Sequence, residues 1–355
     1  MSEFEALISR VYGAYYELRG LPELEQVFTG QLRGKLRLAS RSSGRKSATN
    51  PYGDSLRERH LLIVGDRVRY RQKRADAEFG DDTAIIDSLV ERKNAVYRST
   101  TAELHALGAN LDRAIVLMSL SQPRPRWGFV DRFFASCHAG GVSPCVVFSK
   151  PDLVVEEDAP DIERMIALYR DGLGYPVFVL DLLRAEPDDQ LQQLREFVAD
   201  GITLLAGQSG TGKSTLSNLL LGDAVQATGE ISESTGKGRH TTTNSRLLRA
   251  APGGEGESSR MLLIDTPGVK EWGVQHLQPA ELLESFPEIA PATDECQFRD
   301  CNHEPSQKGC AVLELLERSR QVYSEYFENI DEIEDTPLVA VPPWSEECVH
   351  PERLR

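Results

Sequence analysis

The stretch GITLLAGQSGTGKSTLSNLLLG, residues 201–222, constrains this chain more than any other. It carries a full G-x-x-x-x-G-K-[ST] pattern: Gly207, Gln208, Ser209, Gly210, Thr211, Gly212, Lys213 and Ser214. An apolar run precedes the pattern and a helix-forming run follows it, so the order is strand, loop, helix. The glycines let successive backbone N–H groups face phosphates, and the helix start adds its dipole and its unpaired donors. Lys213 is placed to reach the outer phosphates, and the Ser214 hydroxyl to ligate Mg²⁺. The pattern predicts nucleotide binding at the edge of an α/β sheet.

The rest of the chain supplies that sheet. AIVLMSL (114–120), PCVVFSK (144–150) and YPVFVL (175–180) are nearly continuous apolar runs. They alternate with amphipathic helical stretches, RWGFVDRFFASCHAGG, DIERMIALYRDG and DDQLQQLREFVAD. Buried strands alternating with helices predict a parallel sheet. RLLRAA and RMLLID flank a turn-rich segment and predict an antiparallel hairpin. Upstream, VFTGQLRGKLRLA, HLLIVGDRVRYRQ, TAIIDSLV and NAVYR are short strand-like runs in residues 24–98, which suit a small OB-type β-barrel. The expected architecture is multidomain. Residues 1–23 form an amphipathic helical extension, 24–98 a barrel, 99–276 the nucleotide domain, 277–334 a small, mainly helical domain, and 335–355 a tail.

Charge separates these parts. The chain of 355 residues has a net charge of −15, yet residues 31–74 hold thirteen Lys/Arg against three Asp/Glu, a local +10 that leaves −25 elsewhere. One basic module on an acidic protein points to polyanion contact through that module, with repulsion elsewhere. The start of the chain lacks a basic segment followed by an apolar block, and no apolar run reaches the length of a membrane span. A cytoplasmic monomer without membrane contact is expected. Six cysteines are too few for a disulfide framework. Three of them fall in Cys296-x4-Cys301-x-His303-x6-Cys310, a Cys₃His set that suits one closed, structural Zn²⁺ site.

Further motifs surround the phosphate loop. Asp265 and Gly268 in DTPG follow the apolar strand MLLI, where a carboxylate can hold a metal-bound water and a Gly N–H can meet a γ-phosphate. GRHTTT (238–243) lies between the two, and one of Thr241, Thr242 and Thr243 could complete the Mg²⁺ shell. Upstream, Ser149, Lys150, Pro151 and Asp152 end an apolar strand. They form a variant of the Asn-Lys-x-Asp guanine reader, with Asp152 set to accept from the guanine N1–H and amine. The order is therefore base reader, phosphate loop, Thr segment, DTPG. Cutting a G domain after its DxxG region and joining the old ends produces it, provided the new ends lie on the surface.

This motif order, with GDRV (65–68), ERKNAVYR (91–98), NLDRAIV (110–116), GQSGTGKSTLSN (207–218), DTPGV (265–269) and the Cys/His set, resembles the RsgA family of circularly permuted GTPases. The resemblance covers about residues 25–330. It implies an OB barrel, a permuted G domain and a zinc-binding C-terminal domain. It also implies GTP hydrolysis in small-subunit (30S) ribosome maturation, stimulated by the subunit, with rRNA met through the basic 31–74 region. Two differences stand out. Ser149 replaces the usual Asn, and LDLLRA (180–185) replaces the Ser-Ala signature of the second base-contacting loop. Val269, after DxxG, cannot orient water, which makes His240 a candidate for that task. DTPGVKEWG leads into the zinc domain and could move it when γ-phosphate contacts are lost. Two alternatives stay open at the level of sequence: a P-loop ATPase or kinase, and an RNA-binding nucleotide-dependent scaffold with negligible hydrolysis.

Overall fold

A computed structural model describes residues 4–33, 46–49, 55–58, 62–72, 83–100, 103–184, 189–222, 245–249, 260–286, 289–299, 301 and 308–315. Among these residues no helix is long and apolar enough to cross a membrane.

The amino-terminal segment is not a helix. Phe4–Tyr12 (β1) and Tyr15–Gly20 (β2) form an antiparallel hairpin with Tyr12 opposite Tyr15. The apolar residues Phe4, Leu7, Ile8, Val11 and Tyr15 do fall at helical spacing, which is why the sequence suggested one. Two facts override that spacing. Gly13 sits at φ 60°, a turn conformation that breaks any helix. Ala6, Leu7 and Ile8 are all buried, as suits a barrel strand with neighbours on both sides. The barrel therefore begins at β1 and not at residue 24.

Val27–Leu32 (β3), Arg67–Gln72 (β6) and Ala84–Leu89 (β7) complete it. The pairing runs β1–β2–β3–β7–β6, with β6 returning to β1 and β3 parallel to β7. That closed five-stranded circuit is OB-like. Its interior holds Leu18, Val68, Tyr70 and Ile86. NAVYR, expected in the barrel, lies elsewhere. Ala95–Ser99 (β8) pairs with Glu103–Ala109 (β9) in a four-stranded sheet completed by Lys46–Thr49 (β4) and Ser55–Glu58 (β5). Asp66 joins the two: its carboxylate accepts from Arg92 Nε at 2.7 Å and from the Ile63 N–H at 2.8 Å.

The nucleotide domain is the expected parallel sheet. Arg113–Ser119 (β10), Ser143–Ser149 (β11), Val177–Leu180 (β12), Asp200–Gly207 (β13) and Arg260–Asp265 (β15) run parallel in the order β12-β11-β10-β13-β15. Arg246–Arg249 (β14) pairs antiparallel with β15, as the hairpin reading anticipated. The sheet's two faces carry separate cores. Met118, Val146 and Phe148 face the helix Trp127–Ala139 (α1), while Ile115, Val147 and Leu205 face Asp189–Phe197 (α3) and Lys213–Leu221 (α4). Ala159–Ala167 (α2) continues as a π-turn to Gly172. Barrel and nucleotide domain share an edge, because β1 pairs with β14 at Arg10 and Arg246.

Beyond Leu277 the chain is helical, with Pro279–Glu284 (α5), Ala290–Asp294 (α6) and a helical segment over 311–315. Leu283, Phe286, Ile289, Cys310 and Val312 form a small core there.

Candidate nucleotide site

The strands β11, β10, β13 and β15 deliver their carboxyl ends to one edge of the sheet. Ser149 is in register with Ser119, Leu117 with Gly207, and Leu205 with Asp265. The edge therefore collects Ser149 to Asp152, Gly207 to Ser214, and Asp265 to Gly268.

Two glycines of the phosphate loop are required by space. A Cβ on Gly207 would stand 2.4 Å from Leu117 O on the neighbouring strand. Gly212 caps α4 at φ 98°, in the left-handed region, with Leu182 Cδ1 only 2.8 Å from where a Cβ would stand. The loop is tied internally by Thr211 Oγ1, which donates to Gln208 O at 2.9 Å. Lys213 Nζ donates to Gly207 O and Gln208 O, each at 2.9 Å, so its ammonium lies across the loop. Burial lowers the Lys213 pKa, and Asp265 opposes that shift. Gln208 is buried and Nε2 donates to Lys270 O at 3.4 Å, while Ser209, Gly210 and Ser214 are exposed.

Asp265 ends β15. Burial raises its pKa, against the pull of Arg246 and Lys213. Arg246, its register partner on β14, places Nη2 3.4 Å from Asp265 Oδ2. The segment after Asp265 is fastened to the phosphate strand: Thr266 N–H donates to Leu205 O at 3.1 Å, and Val269 N–H to Gly207 O at 3.1 Å. A Cβ on Gly268 would meet Ser209 Cα at 3.2 Å, so DTPG lies against the phosphate loop. Val269 is a buried packing residue.

The base-reader segment is fastened to the same loop by side chains. Ser149 is fully buried, and its hydroxyl donates to Thr211 O at 2.7 Å. Lys150 has φ 59° and Nζ donates to Gly210 O at 2.7 Å and to Gln122 O. Pro151 and Asp152 lie in the 3₁₀ turn Pro151–Leu153, with Asp152 exposed. Ser149 stands where the family pattern has Asn. The structure supplies a brace from the serine itself. Arg246 was missed as well, because a cross-strand partner depends on register and leaves no local signal.

The DTPGVKEWG segment is also more constrained than its sequence suggested. Trp272 is buried, packs edge-on against Phe129 and Phe133 of α1, and donates Nε1–H to Ser136 Oγ at 2.8 Å. Arg132 Nε donates to Trp272 O at 2.7 Å. Ser99 N–H then donates to Gly273 O at 2.9 Å. The path to the C-terminal domain is thus bolted to α1 and β8 four residues after Gly268. A direct lever from DTPG to that domain is replaced by one that must carry Trp272 with it.

A family model described as RsgA GTPase matches residues 89–275. The chain belongs to the RsgA GTPase family. Curated relatives called small ribosomal subunit biogenesis GTPase RsgA include one from Haemophilus influenzae (strain PittEE), 32% identical over 279 residues, 78% of this chain and 76% of the relative. Another, from Burkholderia pseudomallei (strain 668), is 39% identical over 259 residues, 73% of this chain and 76% of the relative. Among solved structures, YjeQ from Thermotoga maritima superposes with a TM-score of 0.61 at 23% identity, covering 94% of this chain and 100% of that one. YloQ, described as a circularly permuted GTPase, superposes at 0.57 with 24% identity, covering 94% and 96%. These two likenesses establish the fold, which in this RsgA-family chain places the base-reader strand before the phosphate loop.

The metal set is gathered in part. The Cys296, Cys301 and Cys310 sulfur atoms all lie within 4.8 Å of one another. Burial raises the Cys310 thiol to about 11, and its sulfur accepts from the Leu313 N–H at 3.4 Å. Burial also acts upward on Cys296, but the Val312 and Ala311 N–H groups outweigh it and bring that thiol below its ordinary value. His240, Thr241, Thr242, Thr243 and His303 lie outside the described residues, as does much of the basic 31–74 region.

Proposed function

We propose that this chain hydrolyses GTP to GDP and phosphate and acts in maturation of the small ribosomal subunit, as the names of its relatives say of those proteins. The observation that carries the reading is the pair of ties onto one loop: Ser149 Oγ to Thr211 O from the base-reader side, and Val269 N–H to Gly207 O from the DTPG side. They hold a base-reading turn and a metal-ready carboxylate at fixed places around a phosphate cradle. A nucleotide-dependent scaffold with negligible hydrolysis would share this cradle, and turnover separates it from the enzyme.

In this reading the Gly207–Ser214 N–H groups and Lys213 bind the phosphates, and Asp152 accepts from the guanine edge. Ser214 and Asp265 would hold Mg²⁺, which would neutralise charge on the phosphate oxygens. The Gly268 N–H meets the γ-phosphate. His240 would orient the attacking water, and one of Thr241, Thr242 and Thr243 would complete the Mg²⁺ shell. Because Val269 is apolar and buried, turnover by the isolated protein is slow and rises when the subunit orders the 238–243 segment. Cys296, Cys301 and Cys310, with His303 as fourth ligand, fit one structural Zn²⁺: three soft thiolate donors already converge, and a closed set leaves no position for chemistry. The basic 31–74 region contacts rRNA, and the protein works as a cytoplasmic monomer. GTP turnover measured with and without purified small subunits tests the reading. Stimulation is expected, and silence in both conditions overturns it.

A further inference from the structure

The turn after β12 lies directly beside the base reader, because Leu180 is the register partner of Ser149. Its sequence, Asp181-Leu182-Leu183-Arg184, offers no polar side chain of the Ser-Ala type. Two of its backbone donors are also engaged. Leu183 N–H donates to Asp181 Oδ1 at 3.0 Å, and Arg184 N–H to Asp181 O at 3.3 Å. Those two groups serve the turn and are not available to a base carbonyl. Leu182 closes inward on the phosphate loop beside Gly212. Leu183, in contrast, is 85% exposed, the most exposed large hydrophobic residue among those described. Two further apolar residues, Leu153 at 42% and Val155 at 56%, stand out from the adjoining loop after Asp152. Bare apolar side chains on the two turns that follow the paired strands β11 and β12 mark a surface that something covers.

We propose that Leu183 packs on one face of the bound nucleobase and supplies affinity without choosing the base, while discrimination for guanine rests on the Asp152 carboxylate alone. This rests on the reading of the site as one for guanine nucleotides. The occupant follows from placement. The turn adjoins the Lys150–Leu153 segment on one side and touches the Gly212 end of the phosphate loop on the other. A nucleotide whose phosphates lie on residues 207–214 and whose base edge meets Asp152 must run past Leu183. An isobutyl group against a flat ring gains the same contact from any purine. A charged acceptor that must find two donors does not, and leaving it unpaired is what rejects the wrong base.

Calorimetric titration of the full-length protein with GDP, IDP and inorganic pyrophosphate tests this in wild type, Leu183→Ala and Asp152→Asn. Leu183 is outside the core, so its truncation leaves the fold intact. The Leu183→Ala protein should bind GDP and IDP each about three- to tenfold more weakly, with their ratio unchanged, and pyrophosphate as before. Asp152→Asn should collapse the GDP preference over IDP, which lacks the exocyclic amine. Leu183→Trp, with a larger flat surface, should tighten both nucleotides. Unchanged GDP affinity in Leu183→Ala overturns the proposal and assigns the rim to a macromolecular partner. A changed GDP to IDP ratio in that variant, or an equal loss of pyrophosphate, also overturns it. If Asp152→Asn keeps the GDP preference while Leu183→Ala still weakens both nucleotides, the guanine-reader assignment fails and the cover stands.

Discussion

Replacing Ser149 by alanine removes one hydroxyl from the interior, and the structure says where the cost falls. Ser149 and Thr211 are both fully buried, so no water replaces the 2.7 Å bond that Thr211 O accepts. Leaving a buried carbonyl without its donor costs about 1–3 kcal/mol. For a domain of the size matched here, that lowers the melting midpoint by about 2–12 °C. The second consequence separates a structural role from a bracing one. Thr211 lies between Gly210 and Gly212 in the loop proposed to hold the phosphates, so a loop freed from β11 must be re-ordered when nucleotide binds. GDP affinity should then fall by up to about tenfold. Ser136→Ala is the control. It deletes another buried hydroxyl in the same domain, the acceptor of Trp272 Nε1–H at 2.8 Å, which makes no bond to the phosphate loop among those of the described residues. It should lower the midpoint and leave GDP affinity alone. Differential scanning calorimetry and GDP titration of both variants decide the matter. If Ser149→Ala loses stability but keeps wild-type GDP affinity, as Ser136→Ala should, the bracing argument is refuted.

Three other outcomes follow from the same geometry. Burial pushes His276 from 6.5 down to about 4, with Glu281 opposing, so between these values the unfolded chain binds the proton more readily and stability falls as pH drops. His276→Gln should recover about 1–2 kcal/mol near pH 5 and little near pH 7, read from urea midpoints. Asp265 has the opposite sign: its raised pKa means the folded state holds the proton more tightly, and stability declines as pH rises through that value. Asp265→Asn should therefore raise the melting midpoint of the nucleotide-free protein near neutral pH while abolishing the Mg²⁺ dependence of GTP binding. Zinc content by atomic emission should be about one equivalent per chain, lost in Cys310→Ser or after chelation, with loss of protection around the Phe286 and Ile289 core in hydrogen exchange.

What the sequence made legible was whatever repeats at short range. Four of the five parallel strands and the phosphate loop announce themselves because a strand buried on both faces must be apolar throughout, and a loop against phosphate must be glycine-rich. The amino-terminal hairpin did not, since Phe4, Leu7, Ile8 and Val11 satisfy a helical period as well as a doubly paired strand, and only the barrel's closure chooses between them. The placement of β8 outside the barrel and the existence of β9 depend on pairings across more than forty residues with β5. The Arg246–Asp265 pair depends on hairpin register, and the Ser149–Thr211 bond on two loops 62 residues apart in the chain. The tryptophan in DTPGVKEWG was visible as a letter, but its partners Phe129, Phe133 and Ser136 lie on a helix more than a hundred residues upstream.

The strand order explains why the permuted chain keeps a working site. Strands β10, β11 and β12 succeed one another outward in one direction, and β13 then returns to the other side of β10. The sheet reverses its winding between β10 and β13, and loops leaving two such neighbours diverge and open a crevice at their carboxyl ends. The phosphate loop leaves β13 at that point, with the base-reader loop two strands away and DTPG one strand away. The position of the crevice is a property of which strands adjoin, not of the order in which the ribosome made them. What the permutation does change is the exit. The chain leaves the site by way of DTPG, and Trp272 fixes that exit against α1, the helix that begins eight residues after the end of β10. Any displacement that starts at Gly268 therefore reaches the C-terminal domain only by straining the contacts of Trp272 with Phe129 and Phe133. If nucleotide state and the cysteine-bearing domain are coupled, α1, and not the short linker alone, carries the coupling.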